Sequence, residues 1–349
     1  MKKSFKNITV LVVLLVAFYA TSSLYAGDKD RIGTAAAAEL QIPVGGKNFA
    51  MAGSDIAGTS GIDAIYWNPA GLALQKTNEV LFTTMNYFGD AMRVNYLAAS
   101  FNSGGTGTFG LYWKSLDAGD IPLTTNLDPY NVSGATFTPI FTILGFTWSN
   151  QFTDAISFGL NFNYISEQVP QASATAIAFD FGLQYRNLGS IQGLDFGVVA
   201  KNIGSDMTYD GSAFLHGGTI DGSLIPDYLY AIPVESFDLP TNYQIGLSYT
   251  MGFSPETSLK VSGAFISENL GVDKFPLGAE FVFDDMVFAR LGYVFAEEIS
   301  AGDPNTFSFT GGLGLKFDLG GDLAIQVDYV YQAMEHFDGN NLFAIGLAF

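Results

Sequence analysis

The chain has no cysteine. That excludes disulfides, thiolate metal sites and lipid attachment through an N-terminal cysteine. Basic residues are also scarce, with 15 Lys and Arg against 34 Asp and Glu, and a net charge of −19 offers no surface for nucleic acid. The only two histidines, His216 and His336, lie far apart in predicted loops. No H-E-x-x-H, G-x-S-x-G or P-loop pattern occurs. Residues 105–110 fit G-x-G-x-x-G, but a strand follows where a dinucleotide site needs a helix. Acidic residues cluster in loops without the ordered D-x-D-x-D-G spacing of a calcium loop. No catalytic residue, no cofactor and no metal is therefore expected, and the chain reads as something other than an enzyme. Beyond residue 26 no apolar run approaches the roughly 18 residues of a membrane-spanning helix, and no break in composition marks a second domain.

Residues 1–26 read as a signal peptide. Lys2, Lys3 and Lys6 precede an apolar run over 8–20, and small residues follow up to Ala26, the expected last residue of the leader. The run is too short to span a bilayer, and Leu24 is an unusual residue three positions before the cut.

Hydrophobic residues make up 48% of the chain and mean hydropathy is +0.24, high for a soluble protein. Yet the apolar residues are spread through short segments that alternate with polar ones, which is how a transmembrane β-barrel carries them. The period of two predicts about fourteen strands, near 78–87, 93–101, 106–114, 139–149, 154–166, 174–187, 193–204, 239–250, 256–267, 274–284, 286–296, 305–317, 321–332 and 340–349. In 174–187, for example, Ile177, Phe179, Phe181, Leu183 and Tyr185 share one face, and Asp180, Gly182, Gln184 and Arg186 share the other. Apolar faces are expected to meet lipid and polar faces the lumen.

Loop lengths sort with this count. If both termini are periplasmic, the long connections 115–138, 205–238, 297–304 and 333–339 are external, and the short ones, such as 102–105, 188–192 and 251–255, are periplasmic turns. On this register Asp180, Arg186, Lys201, Glu280, Asp284, Arg290, Lys316 and Asp328 face the lumen. That balance of signs suits internal ion pairs better than a charge-selective pore.

The final strand puts Phe343, Ile345, Leu347 and Phe349 on one face and Ala344, Gly346 and Ala348 on the other. An aromatic last strand of this kind resembles the signal read by the barrel-assembly machinery of bacterial outer membranes. It sets the expected location, the outer membrane of a Gram-negative-type bacterium, and the expected partners: outer-membrane lipid and that machinery. The barrel spans 78–349, and closure should pair 78–87 with 340–349.

Residues 27–77 lack alternation and read as a plug, or hatch, for a lumen too wide to leave empty. Tyr66, Trp67 and Leu72 would be costly to leave in water. In Asn68–Pro69–Ala70–Gly71 the Pro fixes φ, the preceding Asn favours extended backbone and Gly71 allows redirection. The loop 205–238 is acidic but also aromatic. Tyr209, Phe214, Tyr228, Tyr230 and Phe237 make it a candidate partner-binding loop, or a lid that folds over the barrel mouth.

The run GGKNFAMAGSDIAGTSGIDAIYWNPAGLAL (45–74) resembles the N-terminal signature of the PorV/PorQ family, within the FadL-like superfamily of outer-membrane barrels. The similarity continues through SLDAGDIPLTT (115–125), FDFGLQYR (179–186) and GVVAKNIG (197–204). Asn68–Pro69–Ala70 matches the motif that FadL-like proteins carry in the plug. The resemblance implies a role in type IX protein secretion, as a shuttle or acceptor that binds the C-terminal signal domain of cargo. The alternative is a FadL-like channel for hydrophobic small molecules, or an orphan structural barrel.

Overall fold

The computed structural model describes residues 27, 29–218, 228–296 and 307–349; the expected signal peptide and the whole 297–304 connection lie outside them. Fourteen antiparallel strands close into one barrel. They are β1 (Glu79–Tyr87), β2 (Met92–Asn102), β3 (Thr108–Asp117), β4 (Ile140–Gln151), β5 (Ile156–Val169), β6 (Ala172–Tyr185) and β7 (Leu194–Gly204), followed by β8 (Asn242–Gly252), β9 (Thr257–Glu268), β10 (Lys274–Phe283), β11 (Val287–Ala296), β12 (Phe309–Gly320), β13 (Leu323–Gln332) and β14 (Asn340–Ala348).

The predicted alternation sets the two faces. On β6, Phe179, Phe181 and Leu183 are exposed on the outer surface while Asp180 and Gln184 are buried inside. A spanning sheet must leave no unpaired edge in hydrocarbon, and β1 pairs along its length with β14. Asn78 and Phe349 extend that seam by exchanging two backbone hydrogen bonds of 2.9 Å each. Deleting Phe349 removes this final pair together with an exposed aromatic ring. The deletion is expected to lower outer-membrane levels of heat-modifiable barrel while barely changing the melting of barrel already inserted; semi-native gels of both fractions check this.

The ladder is irregular in two places. On β12 the register shifts between Asp318 and Gly320, next to a periplasmic turn. On β7, Lys201 and Asn202 together oppose Asp180, a bulge with Asn202 at φ +60°. The amide that the bulge frees donates to Asp180 Oδ1 at 2.7 Å, so a lumen carboxylate completes the wall.

Loop length does not sort the two ends everywhere. The external connections 88–91, 170–171 and 269–273 are as short as the periplasmic turns. The reason is plain at β5 and β6, each of 14 residues: where the strands themselves rise high, a tight turn suffices. The long connection 118–139 carries a small ribbon, Ile121–Pro122 with Thr136–Phe137, and 205–241 carries another, Leu215–Gly218 with Tyr228–Ala231.

From its first described residue the N-terminal segment starts at the external end of the barrel. Ala36 N–H donates to Asp238 O at 3.1 Å, Arg31 pairs with Asp238, and Gly27 packs against Gly271 in an external turn. At the other end, Asn102 Nδ2 donates to Gln75 O at 2.6 Å beside the periplasmic start of β1. The segment therefore begins at the external mouth and descends through the barrel. Its apolar residues, Phe49, Ile65, Trp67 and Leu72 among them, form one buried cluster with Leu81, Met85, Tyr96, Val330 and Leu342 of the wall. The hydrophobic core thus lies inside the barrel, between segment and wall.

Candidate functional site: the occupied lumen

The segment reaches the wall because the wall is stripped of side chains where they meet. A Cβ on Gly159 would fall 2.1 Å from the carbonyl carbon of Pro69, and one on its cross-strand partner Gly182 would fall 2.1 Å from Asn68 Oδ1. The paired Gly197 and Gly246 face Ile56, and the paired Gly278 and Gly292 face Met51. Gly110 and Gly312 continue the belt toward Ile65 and Ala50. Such glycines weaken a strand; here they allow backbone to approach backbone.

Between these glycines, polar wall residues satisfy the carbonyls of a segment with little regular structure. Asn161 Nδ2 donates to Ile65 O at 2.8 Å, Gln184 Nε2 to Thr59 O at 2.9 Å and Thr310 Oγ1 to Ala50 O at 3.0 Å. Buried backbone must find partners, and the polar faces of the strands supply them.

The Asn68–Pro69–Ala70–Gly71 turn sits at the centre. Asn68 is fully buried. Its backbone is extended, as expected before Pro, and its side chain accepts from Ala70 N–H to cap the 3-10 turn Pro69–Leu74. Its Nδ2 donates to Ile56 O at 2.7 Å and to Leu183 O at 3.3 Å, joining two stretches of the segment to the wall. Gly71 is required by proximity, since a Cβ there would stand 2.1 Å from Thr59 O. Trp67 Nε1–H donates to Val44 O at 3.0 Å. Tyr66 packs edge-on against Trp67, donates to Leu40 O and lies under Lys201 Nζ, 3.7 Å from the ring centroid.

Charges gather on the β9–β13 side. Arg290 Nε donates to Glu280 and Nη1 to Asp328, both at 2.6 Å. Lys260 bridges Asp55 of the segment at 3.0 Å and Glu280 at 3.7 Å. A cavity of about 440 Å³ opens beside them toward the periplasm, lined among others by Lys47, Asp55, Asp63, Lys260 and Asp328. Burial raises the Asp63 carboxyl to about 6, against the opposing pull of Lys47. Two of the residues predicted to face the lumen lie outside it: Asp284 is exposed in a periplasmic turn and Arg186 donates to Asp154 O at the rim, whereas Lys316 lines the cavity and pairs at 3.4 Å with Asp318. Strand ends leave the lumen before their alternation ends.

The external mouth is closed by apolar packing. Ala36, Ala37 and Leu40 of the segment meet Ile143, Ile165, Ala174, Ala176 and Ala178 of the wall, with Met207 and Leu239 from the base of the long loop. Tyr209 packs on this cluster and donates to Glu167. Phe214 is half-buried, while Tyr230 and Phe237 are exposed. The side chain of Tyr228 lies outside the described residues. The loop thus divides into a base that covers the mouth and a projecting ribbon. At the far end of the barrel Phe343, Ile345, Leu347 and Phe349 all point outward.

The glycine belt, Lys114, the Lys260–Asp55 bridge and the burial of Glu39 near Glu167 had no forecast from the sequence. The belt was legible in principle: glycines recur on the polar parity of neighbouring strands, at positions that pair. The Lys260–Asp55 and Glu39–Glu167 pairs are separated by 205 and 128 residues of sequence and carry no local signal.

No family model and no curated protein sequence matches the chain. Solved structures do. A monoaromatic hydrocarbon channel, CymD, aligns with a TM-score of 0.53 at 12% identity over 87% of this chain and 96% of its own. The P. putida toluene transporter TodX gives 0.52 at 12% over 87% and 97%, and the Ralstonia pickettii toluene transporter TbuX 0.51 at 13% over 88% and 98%. At such identities the likeness is one of fold. The chain is a multi-pass β-barrel of the outer membrane and shares the fold of these hydrocarbon transporters.

Proposed function

We propose that this barrel is a gated, passive channel for small hydrophobic molecules and that residues 27–77 are its plug. The observation that carries the reading is the apolar seat at the external mouth. Its present occupant is the chain's own Ala36, Ala37 and Leu40. Withdrawal of that stretch would leave Ile143, Ile165, Ala176 and Met207 lining a hydrophobic recess at the side from which solutes arrive. The fold neighbours, two of them toluene transporters, point to the same ligand class. The polar faces deeper in the lumen serve the plug's carbonyls and do not argue for a polar solute.

Cells making the protein should take up radiolabelled toluene faster than cells with an empty vector. Ala176→Trp, which fills the recess, should abolish the gain. Uptake at the vector level, with the barrel present in the outer membrane, would contradict the reading.

A second reading, the PorV-like secretion shuttle, is favoured by the projecting ribbon. Leu229 is 72% exposed and Ile232 50%, unusual for a solvated loop and suited to a protein partner. Replacing 212–230 with a short Gly/Ser linker should then leave the barrel folded and abolish co-purification with a C-terminal signal domain of type IX cargo. Retained binding would exclude this surface.

A further inference from the structure

Three parts of the chain converge beneath the external mouth. Glu39 comes from the descending segment, Glu167 from the top of β5 and Tyr209 from the base of the long loop. Glu39 lies two residues after Ala37, which contacts Glu167, and both glutamates are nearly fully buried. Tyr209 Oη–H donates to Glu167 Oε2, and Ala37 N–H donates to Glu167 Oε1 at 2.9 Å. One carboxyl group on the wall is therefore shared between the loop and the segment.

We propose that Glu39, Glu167 and Tyr209 form a latch that joins the external loop to the plug and opens when the Glu39 carboxyl loses its proton. The proposal rests on reading residues 27–77 as a plug. Two carboxylates cannot both ionise cheaply in a dry contact. The cation nearest at hand offsets this only in part: Lys114, facing Glu39 from β3, donates its ammonium to the carbonyls of Glu39 and Ile42, each at 2.6 Å. Lys201 of β7 sits over the Tyr66 ring, and Arg31 is held by Asp238. Among the described residues neither Glu39 nor Glu167 makes a salt bridge. Glu39 Oε1 is buried without a hydrogen-bond partner.

Burial, reinforced by the charge of Glu167, raises the Glu39 carboxyl to about 8 from an ordinary value of 4.5. The seated segment keeps a proton that the withdrawn segment, in water, gives up. Seating is therefore strongest at acid pH and weakens as pH rises through the window between those two values. The loss is at most about tenfold in the seating equilibrium per pH unit, and the curve levels off above the upper value. Once Glu39 is charged, repulsion from Glu167 separates the two and strains the Ala37 and Tyr209 bonds together. Movement of the loop and movement of the plug are thereby coupled in both directions.

The test uses the full mature barrel with a nitroxide on Thr34→Cys, an exposed position just outside the latch, and reads label mobility between about pH 5 and pH 9. The mobile fraction should rise toward pH 8 and then plateau. Glu39→Gln, which still hydrogen-bonds but does not ionise, should remove the rise in mobility between about pH 6 and pH 8, and Tyr209→Phe should raise mobility at every pH. Asp63→Asn should keep the upper part of the transition, since Asp63 titrates near 6 with the same sign. An unchanged pH profile in Glu39→Gln, or an immobile wild-type label across the range, would overturn the latch while leaving the plug in place. A label mobile at all pH values in every variant would overturn the plug reading and the latch with it.

Discussion

Gly159→Val is expected to dislodge the central turn of the interior segment without harming the strand that carries the mutation. Valine suits a strand better than glycine does, so β5 itself should gain. The new Cβ would nevertheless lie 2.1 Å from the carbonyl carbon of Pro69 and 2.3 Å from its oxygen. Backbone cannot swing aside like a side chain, so the 68–72 turn must move. Overpacking of a well-fitted interior costs about 1–3 kcal/mol, which raises the population of the displaced turn on the order of 10- to 100-fold. Ala70 is fully buried in the native protein, and a cysteine there reports that opening through its labelling by a hydrophilic maleimide. Gly105→Val is the control, because a Cβ at Gly105 meets nothing within 4 Å; it should leave the labelling rate unchanged.

Arg290→Met should be the most destabilising single change in the wall. Arg290 is among the largest fully buried side chains of the protein, with 2% of its surface exposed. It holds Glu280 on the neighbouring β10 and Asp328 on β13, two strands away. Removing it leaves two carboxylates facing each other across the β10–β13 wall with only Lys260 at 3.7 Å from Glu280. Breaking a buried pair in this way costs about 3–5 kcal/mol. The temperature at which the barrel loses its compact form on a semi-native gel should fall, and leak through the β9–β13 side should appear first. Neutralising the acids as well, in Arg290→Met with Glu280→Gln and Asp328→Asn, should restore much of the loss. A single variant as stable as the parent would show that the ion lattice is peripheral to stability.

The barrel was legible in the sequence because its rule is local. Lipid requires that every spanning backbone group be paired and that each strand present one apolar face, and that demand writes itself into every second residue. Phe179–Asp180–Phe181–Gly182–Leu183–Gln184 states it plainly. The interior was legible in kind, since Tyr66, Trp67 and Leu72 have no reason to exist in water, but not in direction. That the segment starts at the external mouth depends on Arg31 meeting Asp238 and Ala37 meeting Glu167, contacts between distant stretches without a pattern of their own. The glycine belt lay between these cases. Each lumen glycine looks like ordinary strand curvature by itself, and only the pairing register of Gly159 with Gly182, or Gly278 with Gly292, shows a seat for another backbone. The loop 205–238 was ambiguous for a physical reason. Burial of Met207 and exposure of Leu229 occur in one stretch of similar composition, and composition does not say which apolar residue turns inward.

If residues 27–77 are a plug, the chain's own N-terminal segment closes the lumen. Planar-bilayer conductance decides this by comparing the intact mature barrel with a variant in which residues 38–72 are replaced by a short Gly/Ser linker and the strands are retained. The intact barrel should be electrically silent and the variant steadily conducting. An intact barrel that conducts as well as the variant would rule out the plug.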